Sequence, residues 1–315
     1  MNAAVDIRGL SRRFGAVTAV DGLTLAVARG ELFGLVGPDG AGKTTTLRML
    51  AGILRPSAGD AIVAGHSVRD KPERIKSHIA YMSQRFGLYG DLTVLENLDF
   101  YADLFEVPAG ERPVRVRRLL DFSGLGPFQG RLADQLSGGM KQKLGLACAL
   151  IHQPDIVFLD EPTNGVDPVS RRDFWRILYE MLTEGVTIVM STSYLDEAER
   201  CRRVALMHHG RLLAVDTPSQ VKTLVRTELV EIGVLDAWRA REALARVPEA
   251  HQVTVFGQRL HVALPDAARD LPAVIGALTA AGLAPRDTRR IVPSLEDVFV
   301  SVLADAHAQK PDRSA

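Results

Sequence analysis

Residues Gly37 to Thr44 read Gly-Pro-Asp-Gly-Ala-Gly-Lys-Thr and follow directly on the apolar run Leu32 to Val36. Such a segment imposes a buried strand, a glycine-rich turn and then a helix. Gly37, Gly40 and Gly42 admit backbone conformations barred to residues with a Cβ, so several N–H groups turn inward to cradle phosphate oxygens. The helix opening at Lys43 adds the positive end of its dipole, Lys43 reaches the β- and γ-phosphates, and the Thr44 hydroxyl is placed to ligate Mg²⁺. Pro38, Asp39, Ala41 and Thr45 complete the phosphate-binding set. The pattern implies a nucleoside triphosphate as the substrate class.

With 315 residues, 46% of them hydrophobic, the chain has the material for about two domains. Lys plus Arg equal Asp plus Glu at 38 each, which argues against a global field that would draw the chain to nucleic acid or an acidic membrane face. The uncharged stretch Leu271 to Pro285 contains Pro, Gly and Thr and falls short of the roughly 18 apolar residues of a span, so no membrane anchor is expected. Cys148 and Cys201 show no CxxC spacing, and with no signal-type N-terminus they read as packing residues of a protein in a reducing cytosol. Arg112, Arg115, Arg117 and Arg118 lack interleaved aromatics and read as a solvated helix face. The His residues show no metal-ligand spacing, with His208 and His209 expected to point opposite ways in a strand, and no structural zinc is assigned.

Short β-like runs at Val5 to Leu10, Leu23 to Val27, Leu32 to Val36 and Asp60 to Val63 frame the phosphate loop, with a helix over Thr44 to Ala51. From about Asp91 to Ile151 the apolar spacing turns helical, which predicts an inserted helical subdomain. Strands at Ile156 to Leu159 and Val186 to Met190 then flank a helix near Val169 to Leu182, restoring α/β alternation and a mostly parallel sheet. This first domain is expected to close near Leu224. Beyond it, strand-like Leu229 to Leu235, helical Trp238 to Val247, a hairpin of Val253 to Phe256 with Leu260 to Leu264, a helix over Leu271 to Ala281 and a strand near Thr288 to Val292 give the order β-α-β-β-α-β. That order fits a small ferredoxin-like α+β module, residues 225–303. Ser294 is placed to cap a final helix, and Ala304 to Ala315 reads as a disordered tail.

The apolar strand Ile156 to Leu159 delivers two carboxylates, Asp160 and Glu161, at its C-terminal end, where open α/β sheets hold their ligands. Asp160 would hold Mg²⁺ through water. Glu161, expected to point the other way, would polarise the water that attacks the γ-phosphate. Gln84, after the apolar stretch ending at Met82, is within reach of the metal or its water. A second anion-seeking helix start lies at Leu136-Ser137-Gly138-Gly139-Met140, with Ser137 as cap and free N–H groups at the glycines. Two such starts in one chain fit best if the second completes a site on another subunit, with nucleotide trapped between two copies.

With these motifs in order, the chain resembles the ATP-binding subunit of ABC transporters over Val5 to Leu224. The resemblance implies a P-loop NTPase core of ABC ATPase type, ATP and Mg²⁺ as ligands, adenine stacking by Phe14, and a dimer loop at Asp167. It also implies a coupling segment, Arg85 to Asn97, that receives a helix of a membrane permease, although the apolar residues there serve equally as helical core. The ending Pro293-Ser294-Leu295-Glu296-Asp297-Val298-Phe299 is similar to that of exporter-type members, and the whole pattern resembles the first, altered half of the tandem ATPases of bacterial efflux pumps. The protein is thereby expected peripherally, at the cytoplasmic face of the cell membrane.

Three departures accompany the matches. Ser193 stands where the family usually carries a His that contacts the γ-phosphate, and its shorter, uncharged hydroxyl predicts slower hydrolysis. Asp39 replaces the usual Asn and sets a carboxylate near ATP's own charge unless a cation or partner donor offsets it. Met140 replaces Gln in the signature. The leading expectation is a transport-coupled ATP hydrolase working with a permease and a second ATP-binding subunit. A competing expectation is an impaired gating half that completes a partner's site. A third, a soluble family member acting on ribosomes or DNA, would call for two ATPase halves or a long coiled coil.

Overall fold

The computed structural model describes residues 3–84 and 87–308, from 303 onward by backbone alone. Two compact units divide the chain, Met1–Asp216 and Thr217–Ala315, a boundary earlier than the Leu224 expected.

The first unit opens with two long strands, β1 (Ala3–Phe14) and β2 (Val17–Ala28), followed by β3 (Leu32–Val36), helix α1 (Lys43–Leu50), β4 (Ala58–Val63), the short β5 (His66–Ser67), the single turn α2 (Pro72–Ile75) and β6 (Ile79–Met82). Helices α3 (Val94–Leu104), α4 (Arg112–Ser123) and α5 (Gly138–Leu150) form the inserted helical region around Val94, Leu98, Leu120, Leu144 and Ile151. Then come β7 (Ile156–Asp160), α6 (Pro168–Thr183), β8 (Thr187–Thr192), α7 (Leu195–Ala198), β9 (Arg203–His208) and β10 (Arg211–Asp216).

Two sheets result. One is antiparallel, in the order β2-β1-β4-β5; the other runs β10-β9-β3-β8-β7-β6 and is parallel except for the β9–β10 hairpin. The central strands β3 and β7 are buried at every residue, which is why both read as uninterrupted apolar runs rather than alternating ones. Neighbours β3, β8, β7 and β6 lie side by side in parallel register, Val36 opposite Thr192, Asp160 opposite Ser191 and Met82 opposite Leu159. Their C-terminal ends therefore open on one edge, the ligand edge of an open parallel sheet.

The second unit runs α8 (Pro218–Lys222), β11 (Glu228–Gly233), α9 (Ala237–Leu244), β12 (Gln252–Phe256), β13 (Arg259–Leu264), α10 (Ala267–Ala280), β14 (Asp287–Ile291) and α11 (Leu295–Ala308). Its strands pair antiparallel in the order β12-β13-β11-β14 over a core of Val230, Ile232, Leu244, Leu260, Val274 and Leu278. Ser294 caps α11 reciprocally: its hydroxyl accepts from the Asp297 N–H at 3.2 Å while Asp297 Oδ2 accepts from the Ser294 N–H at 2.8 Å. The helix continues through residue 308, so 304–308, assigned to the tail from sequence, are helical; residues 309–315 lie outside the described residues. Among the described residues no helix is long and apolar enough to cross a membrane.

Candidate functional site

Four adjacent strands of the parallel sheet each end in one part of the site: β3 in the phosphate loop, β8 in Ser193, β7 in Asp160 and Glu161, β6 in Gln84. Gly42 precedes α1 with φ 99° and its Cβ position lies 2.4 Å from the carbonyl oxygen of Ala19, so only glycine fits where the loop turns into the helix. That turn delivers Lys43, 4% exposed, and Thr44 to the sheet edge.

The Lys43 ammonium donates to the carbonyl oxygens of Gly37 at 2.6 Å and Pro38 at 3.1 Å and to Ser193 Oγ at 3.1 Å, and it lies 3.1 Å from Glu161 Oε1. Ser193 Oγ in turn donates to Glu161 Oε1 at 3.0 Å, which closes a triangle of cation, hydroxyl and carboxylate. Next to this triangle, Asp160 Oδ1 accepts from Thr44 Oγ1 at 2.9 Å and Ser191 Oγ at 2.7 Å, and Asp160 Oδ2 accepts from the Tyr81 hydroxyl at 3.3 Å. Strand alternation predicts opposite directions for the two acids, but both meet neighbouring residues of α1. The strand ends at Asp160, and Glu161 takes a left-handed φ of 47°, its N–H held by Ser191 Oγ at 2.9 Å, which turns its carboxylate back toward Lys43.

A cavity of about 610 Å³ is lined by Phe14, Val17 to Ala19, residues 39–45, Gln84, Glu161 and His209. Phe14 is 46% exposed, with the Arg12 guanidinium 4.5 Å from the centre of its ring. The two residues after Gln84, Arg85 and Phe86, lie outside the described residues. In the rest of the Arg85 to Asn97 segment Val94 and Asn97 are buried, whereas Tyr89 is exposed and packs 4.5 Å from Phe100.

The second helix start stands apart from this cavity. Ser137 caps α5, accepting from the Met140 N–H at 3.3 Å, and a Cβ on Gly139 would collide with Ser170 of α6 at 2.2 Å. Asp167 caps α6 by accepting from the Val169 and Ser170 N–H groups, and the hydrogen bond with the Ser170 side chain, followed by these backbone bonds, holds its carboxyl below the usual range. Gly139 thus packs against Ser170 and Asp167, and none of Ser137 to Met140 or Asp167 lines the phosphate-loop cavity.

Sequence reading missed Glu197. It is fully buried, accepts from Thr163 Oγ1, from Thr192 Oγ1 at 2.7 Å and from Arg171 Nε at 2.8 Å, and so joins the loop after β7 to α6 and to the end of β8 beside Ser193. Its only sequence signal was a place among the acids of α7, which resemble surface charge. His208 and His209 also depart from expectation. Strand β9 ends at His208, His209 begins the turn to β10, and their rings lie 3.9 Å apart. Cys148 and Cys201 are both buried, which pushes the Cys201 thiol up to about 12 and that of Cys148 higher still.

A glycine-rich phosphate loop, an acid-bearing neighbour strand and a parallel sheet define a P-loop nucleotide-binding protein. The family model described as ABC transporter matches residues 20–164. Over 314 residues the chain is 41% identical to the probable multidrug ABC transporter ATP-binding protein YbhF of Escherichia coli (strain K12), covering 97% of this chain and 53% of that protein. It therefore spans about half the length of that relative. The daunorubicin resistance ATP-binding protein DrrA3 of Streptomyces coeruleorubidus is 33% identical over 307 residues, covering 96% of this chain and 97% of the relative. A solved structure of an ATP binding subunit of an ABC transporter superimposes with a TM-score of 0.64 at 30% identity, covering 70% of this chain and 92% of that one. The chain belongs to the family of ABC transporter ATP-binding proteins.

Proposed function

We propose that this chain hydrolyses ATP as the nucleotide-binding subunit of an ABC exporter and drives a separate membrane permease from the cytoplasmic face of the membrane. The observation that carries this reading is the convergence of Lys43, Ser193 and Glu161 within 3.1 Å of one another, beside the Thr44–Asp160 hydrogen bond. The names of the two relatives, a multidrug transporter protein and a daunorubicin resistance protein, support export of drug-like compounds. The exposed Tyr89 supports a permease contact in the segment after Gln84.

In this reading the loop N–H groups and Lys43 bind the β- and γ-phosphates, and Phe14 stacks on adenine. Glu161 orients the attacking water and takes up its proton, the step that makes water a competent nucleophile toward phosphorus. The donors fit Mg²⁺: the Thr44 hydroxyl and the Asp160 carboxylate are adjacent hard oxygens, with Gln84 lining the same cavity, and phosphate oxygens would complete the set. When bound there, the ion neutralises charge on the phosphates. Ser193 supplies a hydroxyl donor but no cation, so turnover is slower than an imidazole at this position would give.

Ser137 to Met140, which do not line the phosphate-loop cavity, act in trans on a second ATP-binding subunit, identical or different, with Asp167 at the shared boundary. The 217–315 unit, with its β-α-β-β-α-β order, is the ferredoxin-like accessory module. The test is ATP-dependent association of Glu161→Gln, followed by light scattering. ATP should drive dimer formation and Ser137→Arg should abolish it; a Glu161→Gln protein that binds ATP and stays monomeric would contradict trans completion in a homodimer.

A further inference from the structure

His209 takes no part in the machinery above, yet its side chain lines the same cavity as the phosphate loop and Phe14. His209 and Gly210 form the two-residue turn of the β9–β10 hairpin, with φ 46° and 77°. Positive φ at both positions is the type I′ pattern, which favours Asn, Asp or Gly first and tolerates His at some cost. This turn is fastened to the phosphate loop. The Gly210 N–H donates to the Ala41 carbonyl oxygen at 3.0 Å, its own carbonyl oxygen accepts from the Asp21 N–H at 2.9 Å, and its Cα lies 3.4 Å from the Cβ position of Gly42. The backbone one residue after His209 is thereby fixed to the phosphate loop, and His209 itself is exposed on the cavity wall. Asp39 lines the same cavity, so a hydrogen-bond donor on the facing turn would add attraction for a phosphate chain beside that carboxylate.

From this placement we infer that His209 is a nucleotide-contacting residue, its imidazole N–H hydrogen-bonding the phosphate chain alongside the loop's own N–H groups. The inference rests on the proposed function, since it concerns the same cavity. It assigns the β9–β10 turn as a second wall of the phosphate site.

The test uses substitutions that suit the turn. His209→Gly and His209→Asp both fit a type I′ first position, so the hairpin survives, which unchanged melting temperatures would verify. Affinities for ATP and for inorganic tripolyphosphate are measured by calorimetry on the full chain, with Lys43→Ala as control. Loss of one hydrogen bond predicts about three- to tenfold weaker binding of both ligands by His209→Gly, and a larger loss in His209→Asp from the added negative charge. Unchanged ATP affinity in His209→Gly beside a binding-competent wild type overturns the inference alone, and so does a loss for ATP with none for tripolyphosphate. Failure of the wild type to bind ATP at all overturns the proposed function and this inference with it.

Discussion

Ser193 donates a hydrogen bond of 3.0 Å to the Oε1 of Glu161, the same oxygen that lies 3.1 Å from the Lys43 ammonium. Ser193, read from the sequence as a departure from the family pattern, is therefore bonded directly to the residue proposed for water activation. A longer, chargeable side chain at 193 would extend past this oxygen toward the phosphate. We predict that Ser193→His raises kcat for ATP hydrolysis by about 10²-fold, the lower end of the range ascribed to one transition-state donor, with little change in ATP affinity. Steady-state phosphate release beside equilibrium ATP binding checks this.

Glu197 ties three segments together beneath the site. Its removal leaves the buried Thr163 and Thr192 hydroxyls, and the partly exposed Arg171 that keeps Asp196, without their shared acceptor. Glu197→Leu should destabilise the first unit by about 1–3 kcal/mol, the cost of leaving buried donors unsatisfied, whereas Glu197→Gln, which keeps an acceptor oxygen, should cost less. Denaturant unfolding followed by emission of the buried Trp175, in a Trp238→Phe background, isolates the first unit.

Acid should act on the second unit through Glu231. Arg289 Nε donates to Glu231 Oε1 at 2.6 Å and Arg259 Nη1 at 2.7 Å, and Arg289 chiefly holds the carboxyl below the usual glutamate range. A depressed folded value means that the contribution is complete above the unfolded value of about 4.3 and is lost as pH falls through the folded one. Glu231→Gln should therefore flatten the acid limb of the second unit's stability below about pH 4 while leaving the first unit's limb unchanged, as thermal unfolding from pH 6 to pH 3 would reveal.

The parts legible in the sequence are those whose chemistry is contiguous. The phosphate loop needs its glycines, Lys43 and Thr44 in one run, and the acid pair needs an apolar strand just before it, so each was visible without any fold. Helix starts at Ser137 and Ser294 were visible because a cap is a local bond. Pairings between distant segments were not. The sheet β2-β1-β4-β5 joins strands whose apolar spacing does not name their partners, and β1 and β2 run farther than their apolar residues suggested. Glu161 turns back because of a left-handed φ that no side-chain pattern encodes. Glu197 is buried only because Thr163, Arg171 and Thr192 converge on it, and His209 reaches the cavity only because its turn is bonded to Ala41. In the second unit α10 starts at Ala267, earlier than the apolar run, because Asp266 accepts from the Ala268 and Arg269 N–H groups.

The central claim is that the Lys43–Glu161 site splits ATP. Steady-state hydrolysis by the purified wild type beside Glu161→Gln, with Mg²⁺-ATP affinity measured on both, tests it most directly. The account predicts measurable turnover by the wild type, a loss of at least about 10²-fold in Glu161→Gln, and similar ATP affinity in the two. Equal turnover by both proteins, or ATP binding by the wild type with no hydrolysis at all, would contradict it.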